Sequence, residues 1–295
     1  MTLDYLEKNI EITNLSNFKT KAFTKYYFEI NNTSDILKLK DINLFCKKNN
    51  ISLLYIGGGT NLLFAFNTYE GVIVKNNLKG WSYDEKTMIL NSFSDESITD
   101  IAKELEMTYN QKLWHRFIGL PGSIGGAVYG NAGCFGLETE NNFLEAEIYD
   151  IETGQMMIFN KDEMKFNYRS SIIKEFNNKY FIISAKFDLS CLIEKYHSDV
   201  DNIDFRENKQ PKGNTCGSFF KNPSKEQSAG FLIEQVGLKG YKLGGAFFSP
   251  LHANFLMNDG TATYKDLLDL IDLAQNKVKK DFKIDLVPEV RIIAN

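Results

Sequence analysis

Arginine is nearly missing from this chain. Of 34 basic residues only four are arginine: Arg116, Arg169, Arg206 and Arg291. Surface charge tolerates lysine instead, whereas two-pronged contacts to carboxylate or phosphate do not. The remaining arginines are therefore enriched for specific tasks, with a structural ion pair as the competing use of each. Cysteine is also scarce. Cys46, Cys134, Cys191 and Cys216 lie far apart and form no CxxC pair, which excludes a zinc knuckle and fits free thiols in a reducing compartment. His115, His197 and His252 have no paired spacing, so no metal site is expected. No apolar run approaches the roughly 20 residues of a membrane helix. The first residues lack a basic stretch leading into an apolar one. The expectation is a cytoplasmic chain. A net charge of −4 gives no reason to expect nucleic acid or a membrane surface as partner, and no obligate protein partner is evident.

What the 295 residues do hold is ordinary globular material, 43% hydrophobic and 24% charged, enough for two or three domains. Glycine is unevenly distributed within it. Seven of the 21 glycines fall between Gly119 and Gly136. Glycine costs backbone entropy on folding, so such density weakens the fold locally. In return, main-chain N–H groups can closely approach an extended anion such as a dinucleotide diphosphate. Pro121 stiffens the run, and Ile124, Ala127 and Val128 can anchor it in a core. A glycine-rich surface loop is the plain competing reading. A second cluster, Gly57-Gly58-Gly59-Thr60-Asn61, follows a short apolar segment. A Rossmann turn fails there because Leu62 occupies the third glycine position, and a Walker A loop fails in both runs because neither closes in Gly-Lys-Ser/Thr. Two loops remain, neither with a phosphate lysine. Together they suit one diphosphate, and an adenine–flavin dinucleotide fits the pattern.

Apolar spacing predicts helices over 34–49 with Ser34 as N-cap, over 98–105, and over 228–236 with a stop at Gly237. A longer helix runs from Thr263 through Lys280, with Leu267, Leu268, Ile271, Ala274 and Val278 on one face. Strands are predicted at 52–56, 71–74, 180–189 and 289–293, and a hairpin joins 145–151 to 155–159. A polar helical stretch at 192–209 marks a domain boundary. The fold class is α+β.

The run Gly57-Gly58-Gly59-Thr60-Asn61-Leu62-Leu63, followed by the run from Gly119 to Gly133, resembles the FAD-binding domain of the vanillyl-alcohol-oxidase type. Further motifs come in order: Tyr168-Arg169-Ser170-Ser171, Lys209-Gln210-Pro211, Cys216-Gly217-Ser218-Phe219-Phe220-Lys221-Asn222-Pro223, Ala229-Gly230-Phe231-Leu232-Ile233-Glu234, His252-Ala253-Asn254-Phe255 and Pro288-Glu289-Val290-Arg291. Over nearly the whole chain these are similar to the UDP-N-acetylenolpyruvoylglucosamine reductase family, in its shorter subtype. The resemblance implies a two-part FAD-binding domain at 1–65 and 66–191, a substrate-binding domain at 192–285, and a C-terminal strand at 286–295 returning to the active site. FAD would be held by Gly57, Gly58, Gly59, Thr60, Asn61, Leu62, Gly119, Pro121, Gly122, Ser123, Gly125, Gly126, Ala127, Asn131 and Gly133.

The resemblance also implies a reaction. UDP-N-acetylglucosamine enolpyruvate is reduced to UDP-N-acetylmuramate, with NADPH recharging the flavin, in peptidoglycan precursor synthesis. Ser218 would supply the proton, although a serine after glycine more often bonds to backbone in a turn. Arg169 would hold the substrate carboxylate and stabilise the enolate. Glu289 would act with it, against the plain alternative of a surface ion pair with Arg291, two residues on along one strand. Tyr168, Lys209, Lys221, Asn222 and His252 would contact substrate. The chain departs from the family at 18–28, at Asn91-Ser92-Phe93-Ser94 where an Ala-Gly-Ala strand is usual, and at Trp114-His115-Arg116-Phe117. All three lie at the edge of the flavin domain. Two other functions stay open at this point: another FAD-dependent oxidoreductase or oxidase on the same flavin domain, and a nucleotide-sugar binding protein without catalysis.

Overall fold

The computed structural model describes residues 3–176, 178–191, 202–224 and 226–295. Helices and sheets are mixed throughout, as an α+β chain requires. Two compact units emerge. The first comprises Met1–Lys8, Tyr26–Gly58 and Gly71–Ile203; the second comprises Asn9–Lys25, Gly59–Glu70 and Asp204–Asn295. Among the described residues no helix is long and apolar enough to cross a membrane.

One sheet has the strand order Glu7–Glu11, Phe23–Ile30, Thr68–Asn76, Leu53–Ile56. Leu53–Ile56 runs parallel to Thr68–Asn76, with Ile56 opposite Lys75. The first unit also holds a five-stranded sheet, ordered Gln155–Asn160, Phe143–Asp150, Tyr180–Asp188, Ile89–Phe93, Trp81–Asp84. The predicted hairpin is there, antiparallel from Asp150 opposite Gln155 to Glu145 opposite Asn160. The strand at Ile89–Phe93 contains Asn91, Ser92 and Phe93 of the departing segment, and Ser94 follows it directly. Helix Ile98–Tyr109 is capped by Ser97, whose side chain accepts from the Asp100 N–H, and it buries Ile98, Ile101, Ala102 and Leu105. The helix expected at 34–49 is in two pieces: a 3-10 turn Thr33–Leu37, then an α-helix Lys38–Asn49. Its cap is Asn32 and not Ser34, because Asn32 and Asp35 complete a reciprocal capping box.

The second unit is built around helix Tyr264–Phe282, which buries Leu267, Leu270, Ile271, Ala274 and Val278. Leu270 takes the place expected of Leu268, which is only partly buried at the cluster's edge. Thr263 caps the helix: its hydroxyl accepts from the Asp266 N–H at 3.2 Å, and Asp266 accepts from the Thr263 N–H at 2.8 Å. Thr263→Ala is expected to cost about 1 kcal/mol of stability, read as a lowered denaturant midpoint with an unchanged slope. Helix Ala229–Gln235 and the strands Lys242–Leu243, Ala246–Phe248 and Leu256–Asn258 complete the unit with a parallel pair, Leu62–Phe64 beside Arg291–Ile293. The C-terminal strand begins at Arg291, so Glu289 precedes it and the expected 289–293 strand is shorter. The shared-face argument for Glu289 and Arg291 therefore does not apply. Of the polar helix at 192–209, Asn202–Lys209 is helical; residues 192–201, including His197, lie outside the described residues.

Candidate active site

In the first unit the second glycine run is not a loop throughout. Residues Ile124–Gly130 form a short helix capped by Ser123, which accepts from the Gly126 N–H. Ile124, Ala127 and Val128 are buried and anchor it, as expected. Packing demands glycine at Gly57 and Gly125, and again at Gly133, where a Cβ would lie 2.9 Å from the Leu137 carbonyl oxygen. A Cβ on Gly57 would lie 2.9 Å from Ser123 Oγ, and one on Gly125 would lie 2.8 Å from Ser94 Cβ. Gly130 is different: a Cβ there would meet nothing within 4 Å. Packing does not exclude a side chain at that position, and its absence leaves bare backbone facing open space. These features fit a dinucleotide lying against main chain.

Asn131 ends this helix with φ 43° and is wholly buried. Its Nδ2 donates to Glu138 Oε2 at 3.2 Å, Glu140 Oε1 at 3.1 Å and the Asn167 carbonyl at 3.2 Å. Its Oδ1 accepts from the Glu140 N–H at 3.1 Å. The side chain is committed to protein groups and braces the run from within. Gly133 pairs with Glu138 across a two-residue turn, Phe135-Gly136, in which both residues have positive φ.

Arg169 is tied to that hairpin. Its Nη2 donates to the Gly133 carbonyl at 2.8 Å, its Nη1 lies 3.9 Å from Glu138 Oε1, and its guanidinium stacks 5.0 Å from the Tyr168 ring. Burial, followed by the hydrogen bond with Glu140, raises the Glu138 carboxyl above its usual range against the pull of Arg169. Arg169 sits third in a tight turn closed by reciprocal bonds between Asn167 and Ser170, with φ +55°. Turns of this kind favour glycine there. Arginine there adopts a backbone conformation that costs a non-glycine residue about 1–3 kcal/mol.

In the second unit Gly59 has φ +67°, and a Cβ would lie 2.2 Å from the Leu15 carbonyl oxygen. Gly59→Ala is expected to destabilise by about 1–3 kcal/mol from the left-handed conformation, with the collision added, and to lower the melting temperature. The N–H groups of Gly59, Thr60 and Asn61 donate to no main-chain carbonyl among the described residues. Leu62 starts the strand beyond, and its carbonyl accepts from Ser16 Oγ at 2.6 Å.

Ser218, Glu289 and Asn61 come together through backbone. Phe219 and Phe220 are buried with their rings 4.9 Å apart, which holds Ser218 at the exposed end of the segment. The Phe219 N–H donates to the Asn254 carbonyl at 2.7 Å, and the Glu289 N–H donates to the Phe219 carbonyl at 2.8 Å. Asn61 Nδ2 donates to the Glu289 carbonyl at 3.2 Å, while the Arg291 N–H donates to the Asn61 carbonyl at 3.1 Å. Cys216 is not a rival nucleophile, since burial pushes its thiol up to about 12.

Residues 32–160 match the FAD binding domain family, and residues 209–293 match the family described as UDP-N-acetylenolpyruvoylglucosamine reductase, C-terminal domain. The chain is 33% identical to the UDP-N-acetylenolpyruvoylglucosamine reductase of Protochlamydia amoebophila, over 97% of this chain and 93% of that protein. The chain belongs to the UDP-N-acetylenolpyruvoylglucosamine reductase family. The family's Aquifex aeolicus protein is 35% identical over 97% of this chain and 94% of its own length. The crystal structure of the Thermus caldophilus reductase has the same fold, with TM-score 0.72 at 22% identity, covering 98% of this chain and 99% of that one.

The family's other motif residues are placed as follows. Asn222 Oδ1 accepts from the Ala229 N–H at 3.1 Å, at the start of a helix whose cap is Ser228. His252 Nδ1 accepts from the Asn254 N–H at 3.2 Å, with its ring 4.8 Å from Phe255. Burial, with Lys239 adding to it, holds its imidazole below the usual value. Lys209 ends an exposed helix, and Lys221 is half-buried, its N–H donating to the Val287 carbonyl at 2.9 Å. Asn254 was not singled out by sequence, although it lies in the His-Ala-Asn-Phe motif. Its amide bonds the Phe220 backbone on both sides, accepting at 2.9 Å and donating at 2.8 Å, and so fixes the segment that carries Ser218. A buried asparagine between two apolar residues was the available signal.

Proposed function

We propose that this chain reduces UDP-N-acetylglucosamine enolpyruvate to UDP-N-acetylmuramate, in peptidoglycan precursor synthesis, with FAD and NADPH. The observation that carries this reading is relatedness at 33–35% identity along 97% of the chain to proteins named for that substrate. The matched family segments are residues 32–160, which hold both glycine runs, and 209–293, which hold Ser218 and Glu289. Bound FAD, recharged by NADPH, supplies the hydride for the terminal alkene carbon.

The chain's own residues bind, orient and move a proton. The amides of Gly59, Thr60 and Asn61 suit an anion, as does the bare backbone at Gly130, which Asn131 braces from behind. Arg169 directs a planar set of donors at the substrate carboxylate, where negative charge gathers as the double bond is reduced. Glu289 polarises the same carboxylate. Ser218 gives its hydroxyl proton to the carbon beside it, and the Lys221 ammonium favours the alkoxide left behind. Tyr168, Lys209, Asn222 and His252 position the sugar and its diphosphate. Substrate binding falls to residues 192–285, of which 202–224 and 226–285 are described. The work belongs to the cytoplasm, where it supports cell shape and division.

An absorbance spectrum tests the reading. Purified protein should show a flavin band that NADPH bleaches and the enolpyruvyl UDP-sugar restores faster than air does. Protein that stays colourless after FAD is added, or that air reoxidises as fast as the sugar, rules it out.

A further inference from the structure

The two glycine runs carry no lysine, yet a diphosphate brings two negative charges. The fold supplies the missing cations from elsewhere. Lys75 lies opposite Ile56 in the parallel strand pair, directly before the Gly57 turn. Its Nζ is 3.2 Å from Asp95 Oδ2, and Lys79 Nζ is 3.5 Å from the same oxygen. Lys75 also donates to the Asn76 carbonyl, and Lys79 to the Asp95 carbonyl. The group is well anchored, because Asn76 Nδ2 donates to Ser94 Oγ at 2.7 Å with both residues buried.

Asp95 is 8% exposed, and its other oxygen, Oδ1, is buried with no hydrogen-bond partner among the described residues. That oxygen faces the glycine turn: it would be 3.7 Å from a Cβ on Gly57, the position that also meets Ser123 Oγ. A buried carboxylate oxygen without a donor calls for an explanation. Two ammonium groups against one carboxylate leave a net positive charge at a turn already suited to an anion.

We propose that Lys75, Lys79 and Asp95 form a further part of the FAD site, the lysines supplying the charge for the diphosphate and Asp95 Oδ1 accepting from a hydroxyl of the dinucleotide. The inference rests on the FAD reading above and adds to it three residues outside both glycine runs. Asp95 has two tasks: it keeps Lys75 directed at the turn, and it offers an acceptor that the turn's N–H groups lack.

The test measures FAD release from the full-length holoprotein, as free flavin fluorescence on serial dilution. Lys75→Met and Asp95→Ala are each expected to raise the dissociation constant about tenfold or more. Lys75→Arg, which keeps the charge, should stay within about threefold of the parent. Added salt should weaken FAD binding by the parent more than by Lys75→Met. Lys79 is half-exposed, so Lys79→Met serves as the variant that folds regardless. It should weaken FAD binding about threefold and flatten the salt dependence. If the parent retains FAD and these variants, folded by their melting curves, release it at the parent's concentration and with the parent's salt dependence, the proposal is overturned while the FAD reading stands. A parent that never holds FAD ends both.

Discussion

Ser218→Ala is expected to lower turnover by roughly two to four orders of magnitude while leaving NADPH bleaching of the flavin at the parent rate. The substitution removes one oxygen from an exposed position and keeps the Cβ. The buried Phe219–Phe220 pair and its bonds to Asn254 and Glu289 hold the segment in place independently of that hydroxyl. Folding and FAD content should therefore be unchanged, which separates a lost proton donor from a damaged site. Stopped-flow absorbance reads the two half-reactions apart: bleaching by NADPH, then recovery with the enolpyruvyl sugar. Recovery alone should slow. Turnover at the parent rate would falsify the assignment of Ser218. Ser218→Cys restores a proton-bearing group and should recover part of the loss.

The local pattern was legible where it repeats or where a motif is dense. The hairpin at Phe143–Asp150 and Gln155–Asn160 followed from alternation around a glycine turn, and Thr263 announced its helix. The composition of the two units was not legible. Asn9–Lys25 and Gly59–Glu70 join Asp204–Asn295 through bonds between residues far apart in sequence. Asn258 Nδ2 donates to the Phe18 carbonyl at 2.7 Å, and Cys216 Sγ lies 3.4 Å from the Leu62 carbonyl. Neither pair has a periodic signature, because each is a single polar group closed off by packing. The site shows the same division. Motifs singled out candidate residues, but not whether an amide faces ligand or protein. Asn131 and Asn254 both turn inward, and only their partners reveal this. Lys75 and Asp95 escaped notice for a related reason: strand pairing sets Lys75 opposite Ile56, and Asp95 meets it through an ion pair, both from outside either glycine run.

Arg169→Lys is expected to cut turnover by roughly two to three orders of magnitude, again with flavin content and NADPH bleaching intact. Lysine keeps the positive charge, so charge alone predicts a small effect. The geometry predicts a large one. One prong of the guanidinium is fixed to the Gly133 carbonyl at 2.8 Å, and the plane stacks on Tyr168 at 5.0 Å, which sets the orientation of the fork. A single ammonium cannot bond the Gly133 carbonyl and still present a fork to a carboxylate. The left-handed backbone at position 169 is unchanged by the substitution, so any loss of stability should come from the missing stack and hydrogen bond, about 1 kcal/mol. The decisive measurement is the rate at which reduced enzyme is reoxidised by the enolpyruvyl sugar at saturation. A rate within about threefold of the parent would mean that charge suffices and that the strained turn serves another purpose. A rate lowered at saturation, with the parent's concentration dependence retained, would place the guanidinium's contribution in the transition state.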